Sequence, residues 1–220
     1  MQSQRRALVA GGTGLVGSEL LTLLGADTRY REVTSLVRRK VSERAGIKNC
    51  VISFEDLDRI ELPEIDDVYC CLGTTRSTAG SDEAFRKVDL DYVLVYARAA
   101  RRAGAVRFLL VSSMGADANS RFLYTRTKGE AEAAVCALGF DVVGIVRPSL
   151  LVGQRADARP AERVALVIGR MISPLMVGPL RRFRPIEVSS VAAALIHLAF
   201  AAPPGVTVLP SEEIAVLKTK

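Results

Sequence analysis

The sequence is poor in the residue types from which metal sites and aromatic binding platforms are built. Among its 220 residues it has one histidine, His197, four cysteines and no tryptophan, and aromatic residues make up only 5%. The cysteines are Cys50, Cys70, Cys71 and Cys136, and no CxxC pair occurs among them. Because the spacings typical of zinc ligands are missing, we expect no metal site. We expect the cysteines to be reduced, buried thiols of a cytoplasmic protein.

Long hydrophobic runs are missing too. The most apolar stretch, residues 164–180, contains Arg170 and two prolines and is short for a membrane span. The first six residues are polar, so we expect neither a signal peptide nor a transmembrane segment. We interpret the 164–180 stretch as packing within the fold or, as an alternative, as a contact in a homodimer.

The chain carries an excess of positive charge, but its basic residues are not concentrated in one segment. The net charge is +6, which would suit a nucleic-acid ligand. However, the arginines are scattered over many segments, and no zinc finger or RNP-like run accompanies them. We therefore expect no nucleic-acid binding, and we expect the partner to be a small-molecule substrate.

Short apolar segments alternate with helical patterns along the first 150 residues. Predicted strands cover residues 6–10, 32–37, 50–54, 67–72, 106–113 and 141–148, and predicted helices cover 15–24, 82–103 and 123–138. Gly104 and Gly139 stand where the last two helices should end. Strands that are apolar without alternation are typical of a parallel sheet buried on both faces. The pattern predicts an α/β fold, a Rossmann-type doubly wound parallel sheet.

The last third of the chain has a looser rhythm. Helical patterns cover residues 161–172 and 188–201, and a last strand is predicted over 206–209. This part is too small for a domain of its own. We expect one domain over residues 1–220, in which residues 149–220 contribute a small cap on the substrate side.

A glycine-rich turn, GGTGLVG, joins the first predicted strand to the first helix. In turns of this kind the first glycine allows a sharp bend, the second lets the backbone approach a pyrophosphate, and the third lets the helix pack on the strand. The free N–H groups at the helix start favour phosphate. We predict that a dinucleotide binds at Gly11, Gly12, Thr13, Gly14, Leu15, Val16 and Gly17. A purely structural turn is the alternative.

Two arginines follow the second predicted strand. Proteins that prefer NAD usually carry an acidic residue here for the ribose 2′-hydroxyl, whereas this chain has Arg38 and Arg39. A guanidinium suits a 2′-phosphate, to which it can donate two charge-assisted hydrogen bonds. The pair therefore favours NADPH (NADP+) over NADH. An exposed basic loop is the alternative interpretation.

A tyrosine and a lysine lie four residues apart on the helix that follows the fifth strand. This spacing places Tyr124 and Lys128 on one helix face. A nearby ammonium stabilises a phenolate, which suits the tyrosine to general acid or base catalysis. Ser112 and Ser113 end the preceding strand, and one of them could bind the substrate oxygen. Because neighbours on a strand point to opposite faces, at most one of the two is well placed.

Together these motifs resemble an atypical short-chain dehydrogenase/reductase, and more closely the small Tat-interacting-protein-like oxidoreductases and their bacterial relatives. The segments that carry the resemblance are GGTGLVG (11–17), RRK (38–40), CCLGTTRSTAG (70–80), VDLDYV (88–93), SSMGAD (112–117), FLYTRTKGEAE (122–132) and VRPSLLVGQR (146–155). They occur in order over most of residues 7–160. The resemblance implies a fold that binds NADPH, with Tyr124 as proton donor or acceptor and Lys128 in contact with the nicotinamide ribose.

The resemblance also implies further cofactor contacts. Leu72 and Gly73 would lie along the cofactor, Pro148 and Leu151 would pass the nicotinamide, and Arg159 would reach the cofactor. The function expected is an NADPH-dependent oxidoreductase that acts on a small carbonyl or alcohol. Two alternatives stay open, a regulatory or scaffold protein that senses NADPH and an enzyme similar to nucleotide-sugar epimerases.

Overall fold

The computed structural model describes residues 4–152 and 178–217. Arg159, the helix predicted over 161–172 and most of the apolar stretch 164–180 lie outside the described residues. None of the helices in the described ranges is long and apolar enough to cross a bilayer.

The centre of the fold is a parallel β-sheet. The strands are β1 (Arg5–Ala10), β2 (Tyr30–Val37), β3 (Lys48–Val51), β4 (Asp67–Cys70), β5 (Arg107–Val111), β6 (Val142–Arg147), β7 (Leu151–Val152), β8 (Ile186–Glu187) and β9 (Gly205–Pro210). Seven of them form one sheet in the order β3-β2-β1-β4-β5-β6-β9, while β7 and β8 pair with each other. Every neighbouring pair in the large sheet is parallel. The strand order reverses between β1 and β4, which is where a doubly wound sheet opens a crevice for its ligand.

Helices cover both faces of the sheet. They are α1 (Leu15–Ala26), α2 (Arg76–Ala79), α3 (Asp82–Arg86), α4 (Tyr92–Arg102), α5 (Leu123–Cys136), α6 (Val188–Ala201) and α7 (Ser211–Leu217). A π-helical segment, Lys87–Asp91, joins α3 to α4, and a 3₁₀ helix covers Gly178–Phe183. Gly104 and Gly139 follow α4 and α5 with φ of 87° and 72°, the left-handed conformation typical of a residue that ends a helix.

The core is split between the two faces of the sheet, and this explains the lack of alternation in the strands. Neighbouring residues of β1, Leu8 and Val9, are 1% and 0% exposed, and they belong to opposite clusters. The cluster with Leu8 contains Tyr96 of α4 and Val135 of α5. The cluster with Val9 is formed with α1 and α6. Each strand therefore needs apolar residues at successive positions.

The predicted fold class is confirmed, with shifts at several element ends. The helix predicted over 82–103 is α3, the π segment and α4 in succession, and α6 covers residues 188–201 as predicted. The last predicted strand is β9, which extends the central sheet beside β6. The pairing of β7 with β8 and the short helices α2 and α7 have no counterpart in the sequence prediction. The single-domain organisation over residues 1–220 stays a prediction.

Candidate functional site

Two glycines of the turn between β1 and α1 are required by the fold itself. Gly11 has a φ of 82°, and a Cβ on it would lie 2.3 Å from the carbonyl oxygen of Cys71. A Cβ on Gly17 would lie 2.2 Å from the carbonyl oxygen of Gly11. Both distances are far below van der Waals contact. The turn can therefore approach the end of β4 and the first turn of α1 only because these two positions are glycines.

Gly14 differs from these two because the fold leaves space beside it. Its φ of −80° and ψ of 173° are open to any residue. Among the described residues other than its two chain neighbours, a Cβ would meet only the Gly11 carbonyl oxygen, at 3.3 Å. Gly14 caps α1, which has no side-chain cap and no acidic residue in its first turn. The N–H groups of that turn and the positive end of the helix dipole are therefore available to an anion.

The other predicted residues of the turn divide between core and surface. Thr13 is exposed and Leu15 half-buried, whereas the side chain of Val16 is 5% exposed and belongs to the core. Gly12 is buried, and a Cβ there would lie 2.6 Å from the side chain of Leu21. A ligand at this turn would therefore meet mainly backbone.

Arg38 and Arg39 follow β2 directly, and both are exposed. Because Leu36 of β2 pairs with Ala10 of β1, the two arginines lie at the same edge of the sheet as the glycine turn, the edge formed by the carboxyl ends of the strands. Neither guanidinium forms an ion pair or hydrogen bond with a described residue. Two free cations thus stand beside a turn that favours phosphate.

Lys128 is the best-defined charged group at the carboxyl edge of the strands. Its side chain is 8% exposed, and its Nζ lies 2.7 Å from Oδ1 of Asp89, a carboxylate that is itself fully buried. Oδ2 of Asp89 accepts a hydrogen bond from the backbone N–H of Thr74, 2.8 Å away. The pair borders Gly73, where an added Cβ would lie 3.5 Å from both charged atoms and, apart from its two chain neighbours, would meet no other atom of the described residues within 4 Å.

Tyr124 stands one helical turn before Lys128. Its ring stacks on that of Phe85 with a centroid distance of 5.7 Å, and the residue is 39% exposed. Phe85 and Asp89 are four residues apart, like Tyr124 and Lys128, so the two helices meet through two matched contacts. The arrangement holds the phenol ring by its face and leaves part of the residue open to solvent.

The two serines after β5 have different surroundings. Ser112 is 5% exposed, and its hydroxyl donates a short hydrogen bond to Oε1 of Glu132. Ser113 is half-buried, and its hydroxyl donates to the neighbouring carbonyl of Met114, at 3.1 Å, its one partner in the described ranges. Only Ser113 therefore has a hydroxyl that is not committed to a buried ionic group.

Glu132 locks α5 to the sheet beside this site. Its carboxylate accepts two hydrogen bonds from Arg147, at 3.0 and 2.5 Å, as well as the one from Ser112. The carboxylate raises the pKa of the Arg147 guanidinium. Because Glu132 follows Lys128 by one turn, this lock fixes the helix that carries the lysine.

The residues expected along the nicotinamide lie at the same edge. Leu72 follows β4 and packs against the core cluster that contains Leu8. Pro148 follows β6, and its carbonyl accepts a hydrogen bond from the N–H of Met114 at 2.9 Å. Leu151 lies in β7. Arg159 lies outside the part of the chain that the structure describes.

Three residues of the site had no predicted role, namely Phe85, Asp89 and Glu132. Asp89 lies within VDLDYV, one of the segments that carry the resemblance, and an acid between apolar residues of a helix was the available signal. Glu132 continues the four-residue spacing of Tyr124 and Lys128, so it could have been placed on the same face.

The adjacent cysteines at the end of β4 are poorly suited to chemistry. Burial raises the pKa of Cys70 to about 12, and it also raises the pKa of Cys71. Both thiols are therefore protonated and unreactive at neutral pH. Among the described residues, no group of three or more histidine, cysteine or acidic side chains could hold a metal ion.

The residues of this site lie within a segment that matches known proteins. A family model described as NAD(P)H-binding matches residues 11–174. The chain is 42% identical over 164 residues to "Protein fmp52, mitochondrial" of Emericella nidulans, a match that covers 70% of each chain. It is 40% identical over 167 residues to "Protein HTATIP2" of Rattus norvegicus, covering 73% of this chain and 69% of the relative.

Solved structures share the fold at low sequence identity. Human epimerase family protein SDR39U1 with NADPH superposes with a TM-score of 0.66 at 22% identity, covering 96% of this chain and 76% of that one. MoeE5 in complex with UDP-glucose and NAD gives a TM-score of 0.68 at 20% identity, covering 93% and 75%. At such identities the likeness establishes the fold alone.

The expected cytoplasmic location is wrong by these comparisons. The relatives from Emericella nidulans, Candida albicans and Debaryomyces hansenii are all named mitochondrial, and these names point away from the cytoplasm. That expectation was based on four cysteines without disulfide or metal spacing. Reduced thiols do not distinguish the cytoplasm from other reducing compartments.

Proposed function

The chain belongs to the NAD(P)H-binding family, and on that premise we propose that it is an NADPH-dependent oxidoreductase acting on a small carbonyl or alcohol. The observation that carries the proposal is the buried Lys128, which lies one turn from a partly exposed Tyr124 at the sheet edge where the glycine turn lies. A buried ammonium beside a phenol is suited to proton transfer. When bound, NADPH supplies the hydride that the substrate carbon receives.

Binding is assigned to backbone and arginine groups. The N–H groups of the first turn of α1 would hold the pyrophosphate, with Gly14 leaving room for it. Arg38 and Arg39, which have no partner in the described ranges, would bind the 2′-phosphate, and this is the basis for preferring NADPH over NADH. Lys128 would donate to a hydroxyl of the nicotinamide ribose.

We assign the transfer of the proton to Tyr124 because of its position. Its hydroxyl would donate a proton to the substrate oxygen as the carbonyl is reduced, and it would accept one in the reverse direction. The nearby ammonium of Lys128 stabilises the phenolate that results. We assign the second hydrogen bond to the substrate oxygen to Ser113, since the hydroxyl of Ser112 is bound to Glu132.

Tyr124→Phe tests the proposal. A panel of small aldehydes and ketones is offered to the purified protein, and the loss of NADPH absorbance is followed. We expect turnover to fall by about 100-fold or more, while the affinity for NADPH measured by calorimetry changes by less than about twofold. Tyr92→Phe is the matched control, because Tyr92 contacts Phe54 and Glu55 away from Lys128.

Two outcomes would contradict the proposal. Undiminished turnover in Tyr124→Phe would remove the tyrosine from the reaction. NADPH binding with no turnover of any carbonyl would favour the alternative of an NADPH-sensing protein.

The serine assignment has its own comparison. Ser113→Ala should lower turnover by about tenfold or more, the effect of one lost hydrogen bond to a developing charge. Ser112→Ala should lower stability by about 1 kcal/mol through the lost contact with Glu132 and leave turnover within about threefold. The reverse pattern would exchange the two roles.

A further inference from the structure

A cavity lies between the 3₁₀ helix Gly178–Phe183 and α7. Its volume is about 850 Å³, which is within the range of small-molecule sites. Residues 184–186 form part of its wall, and the N–H of Ile186 donates to the carbonyl of Leu150 at 2.9 Å. Ile186 also pairs with Leu151, the residue expected to pass the nicotinamide. The pair of β7 and β8 therefore borders both the cavity and the expected place of the nicotinamide.

Serine hydroxyls anchor this wall to two strands of the central sheet. Ser149, which lies two residues after β6, donates a short hydrogen bond from its hydroxyl to the carbonyl of Arg184. Ser211, which follows β9, donates to the Ser149 hydroxyl at 2.9 Å and accepts the backbone N–H of Ser149 at 3.1 Å. The cavity thus lies at the carboxyl edge of the sheet, where doubly wound folds bind their ligands.

Most of the cavity lining is apolar. Pro185 and Ile186 line it from one side, and Ala215, Val216 and Leu217 of α7 line it from the other. Val216 is 70% exposed. Exposed apolar side chains beside a cavity are typical of ligand sites, because a ligand that covers them removes their surface from water. These walls therefore favour a ligand with an apolar body.

Arginines supply most of the charge in the lining. Arg181, Arg182 and Arg184 all border the cavity, and none of them forms an ion pair with a described residue. The Nε of Arg184 is buried and has no hydrogen-bond partner in the described ranges. A buried donor without a partner is costly. A carboxylate would satisfy it well, because a carboxylate accepts charge-assisted hydrogen bonds from a guanidinium.

Two glutamates of α7 restrict the charge that such a ligand can carry. Glu212 and Glu213 line the same cavity, and neither pairs with a described arginine. Three arginines and two glutamates leave one net positive charge in the lining. A ligand with several negative charges would be repelled by the two carboxylates. The lining therefore favours one anionic group over the several charges of a nucleoside diphosphate.

We propose that this cavity binds the non-reacting part of the substrate, an apolar body that ends in one carboxylate. Arg184 would pair with the carboxylate, and the wall around Val216 would cover the apolar body. The inference rests on the proposed function for its link to the reaction. It narrows the substrate class to carbonyl compounds that carry an apolar chain and a single carboxylate.

Octanoate and octan-1-ol separate the two contributions, because they share a chain and differ in charge. Calorimetric titrations with both are made on the intact protein, on Arg184→Met and on Val216→Asp. Arg184→Met keeps an apolar stem and removes the charge, and Val216→Asp changes an exposed position. The matched controls are Arg98→Met, exposed on α4, and Val51→Asp, exposed on β3 at the opposite edge of the sheet. Urea unfolding shows whether each variant is folded.

We expect octanoate to bind with a Kd of about 1 mM or below, at least about tenfold more tightly than octan-1-ol. Arg184→Met should raise the Kd of octanoate about tenfold and leave that of octan-1-ol within about twofold. Val216→Asp should weaken both ligands by about threefold or more, because it places a charge in the apolar wall. Both control variants should bind as the unchanged protein does.

Three results would overturn the inference: no binding of octanoate, equal affinity for octanoate and octan-1-ol, or an equal loss of octanoate affinity in Arg184→Met and Arg98→Met. Val216→Asp keeps the test decisive if Arg184→Met does not fold, since octanoate affinity equal to that of Val51→Asp would also overturn it.

Turnover of 8-oxooctanoate and of octanal with NADPH tests the link to the reaction. We expect a higher kcat/KM for 8-oxooctanoate, and we expect Arg184→Met to lose this preference. Turnover without the preference would overturn the inference and leave the proposed function standing. Binding of octanoate that depends on Arg184, with no turnover of any carbonyl, would instead overturn the proposed function and leave a carboxylate-binding cavity without the substrate role.

Discussion

Replacing Gly14 and Gly17 in turn separates the glycines that build the turn from the one that would receive a ligand. A Cβ on Gly17 would lie 2.2 Å from the Gly11 carbonyl oxygen and 2.9 Å from Cα of Gly12. Since both atoms belong to backbone, no side-chain rotation can relieve the overlap. Gly17→Ala should therefore cost about 3 kcal/mol or more in free energy of unfolding, at the upper end of overpacking effects.

Gly14→Ala should behave oppositely. Its Cβ would lie 3.3 Å from the Gly11 carbonyl oxygen, the one contact that the described part of the chain makes with it beyond its neighbours, and the backbone is already in the extended region. Loss of chain entropy in the unfolded state stabilises by about 0.4–1 kcal/mol, and alanine is a poorer helix cap than glycine by about the same amount. The free energy of unfolding should stay within about 1 kcal/mol.

The affinity of Gly14→Ala for NADPH decides whether the turn binds the pyrophosphate or is only structural. If the pyrophosphate packs on Gly14, the added methyl group occupies its place, and we expect the Kd to rise by about 30-fold or more, or about 2 kcal/mol. Urea unfolding and calorimetric titration measure the two quantities on the same samples. A Gly14→Ala protein that is stable and binds NADPH with unchanged affinity would show that no pyrophosphate packs on Gly14 and that the turn is only structural.

Two further predictions concern stability. Asp67→Asn should lower the free energy of unfolding by about 2 kcal/mol or more, since the fully buried Asp67 pairs with Arg5 and Arg107 at the amino edge of the sheet. Urea unfolding measures this loss. Because Asp67 lies far from the candidate site, a loss of NADPH affinity in this variant would contradict the prediction. Stability should also fall as the pH rises above about 9 towards 12, because burial raises the pKa of Cys70 from 9.0 to about 12 and that of Cys71 as well, so that these thiols ionise first in the unfolded chain. A Tm that stays constant over this interval would contradict that linkage.

The fold could be predicted from the sequence because its signals are local. A glycine turn between an apolar strand and a helix, and glycines after α4 and α5, act within a few residues of their own position. The predicted ends of the strands are less accurate where tertiary packing determines where a strand ends. The third strand was predicted over 50–54, but β3 covers Lys48–Val51 because it pairs with Thr34–Val37 of β2. Ile52 and Phe54 are apolar because they are buried in the core beyond the strand.

The site was predicted in part for the same reason. Tyr124 and Lys128 share a helix face by spacing alone, so their proximity needed no tertiary information. The partner of Lys128 is 39 residues away in sequence, and its direction depends on a π segment that no helical period predicts. The choice between Ser112 and Ser113 likewise depends on Glu132, a residue of another element.

Calorimetric titrations with NADPH and with NADH test the proposed cofactor site most directly. They are made on the unchanged protein and on Arg38→Ala, with Arg31→Ala as an exposed arginine control on β2. We expect NADPH to bind at least about tenfold more tightly than NADH. We expect Arg38→Ala to lose most of this preference and Arg31→Ala to keep it. If neither nucleotide binds at millimolar concentration, or if the preference for NADPH survives in Arg38→Ala and in Arg39→Ala, this turn and these arginines do not form an NADPH site.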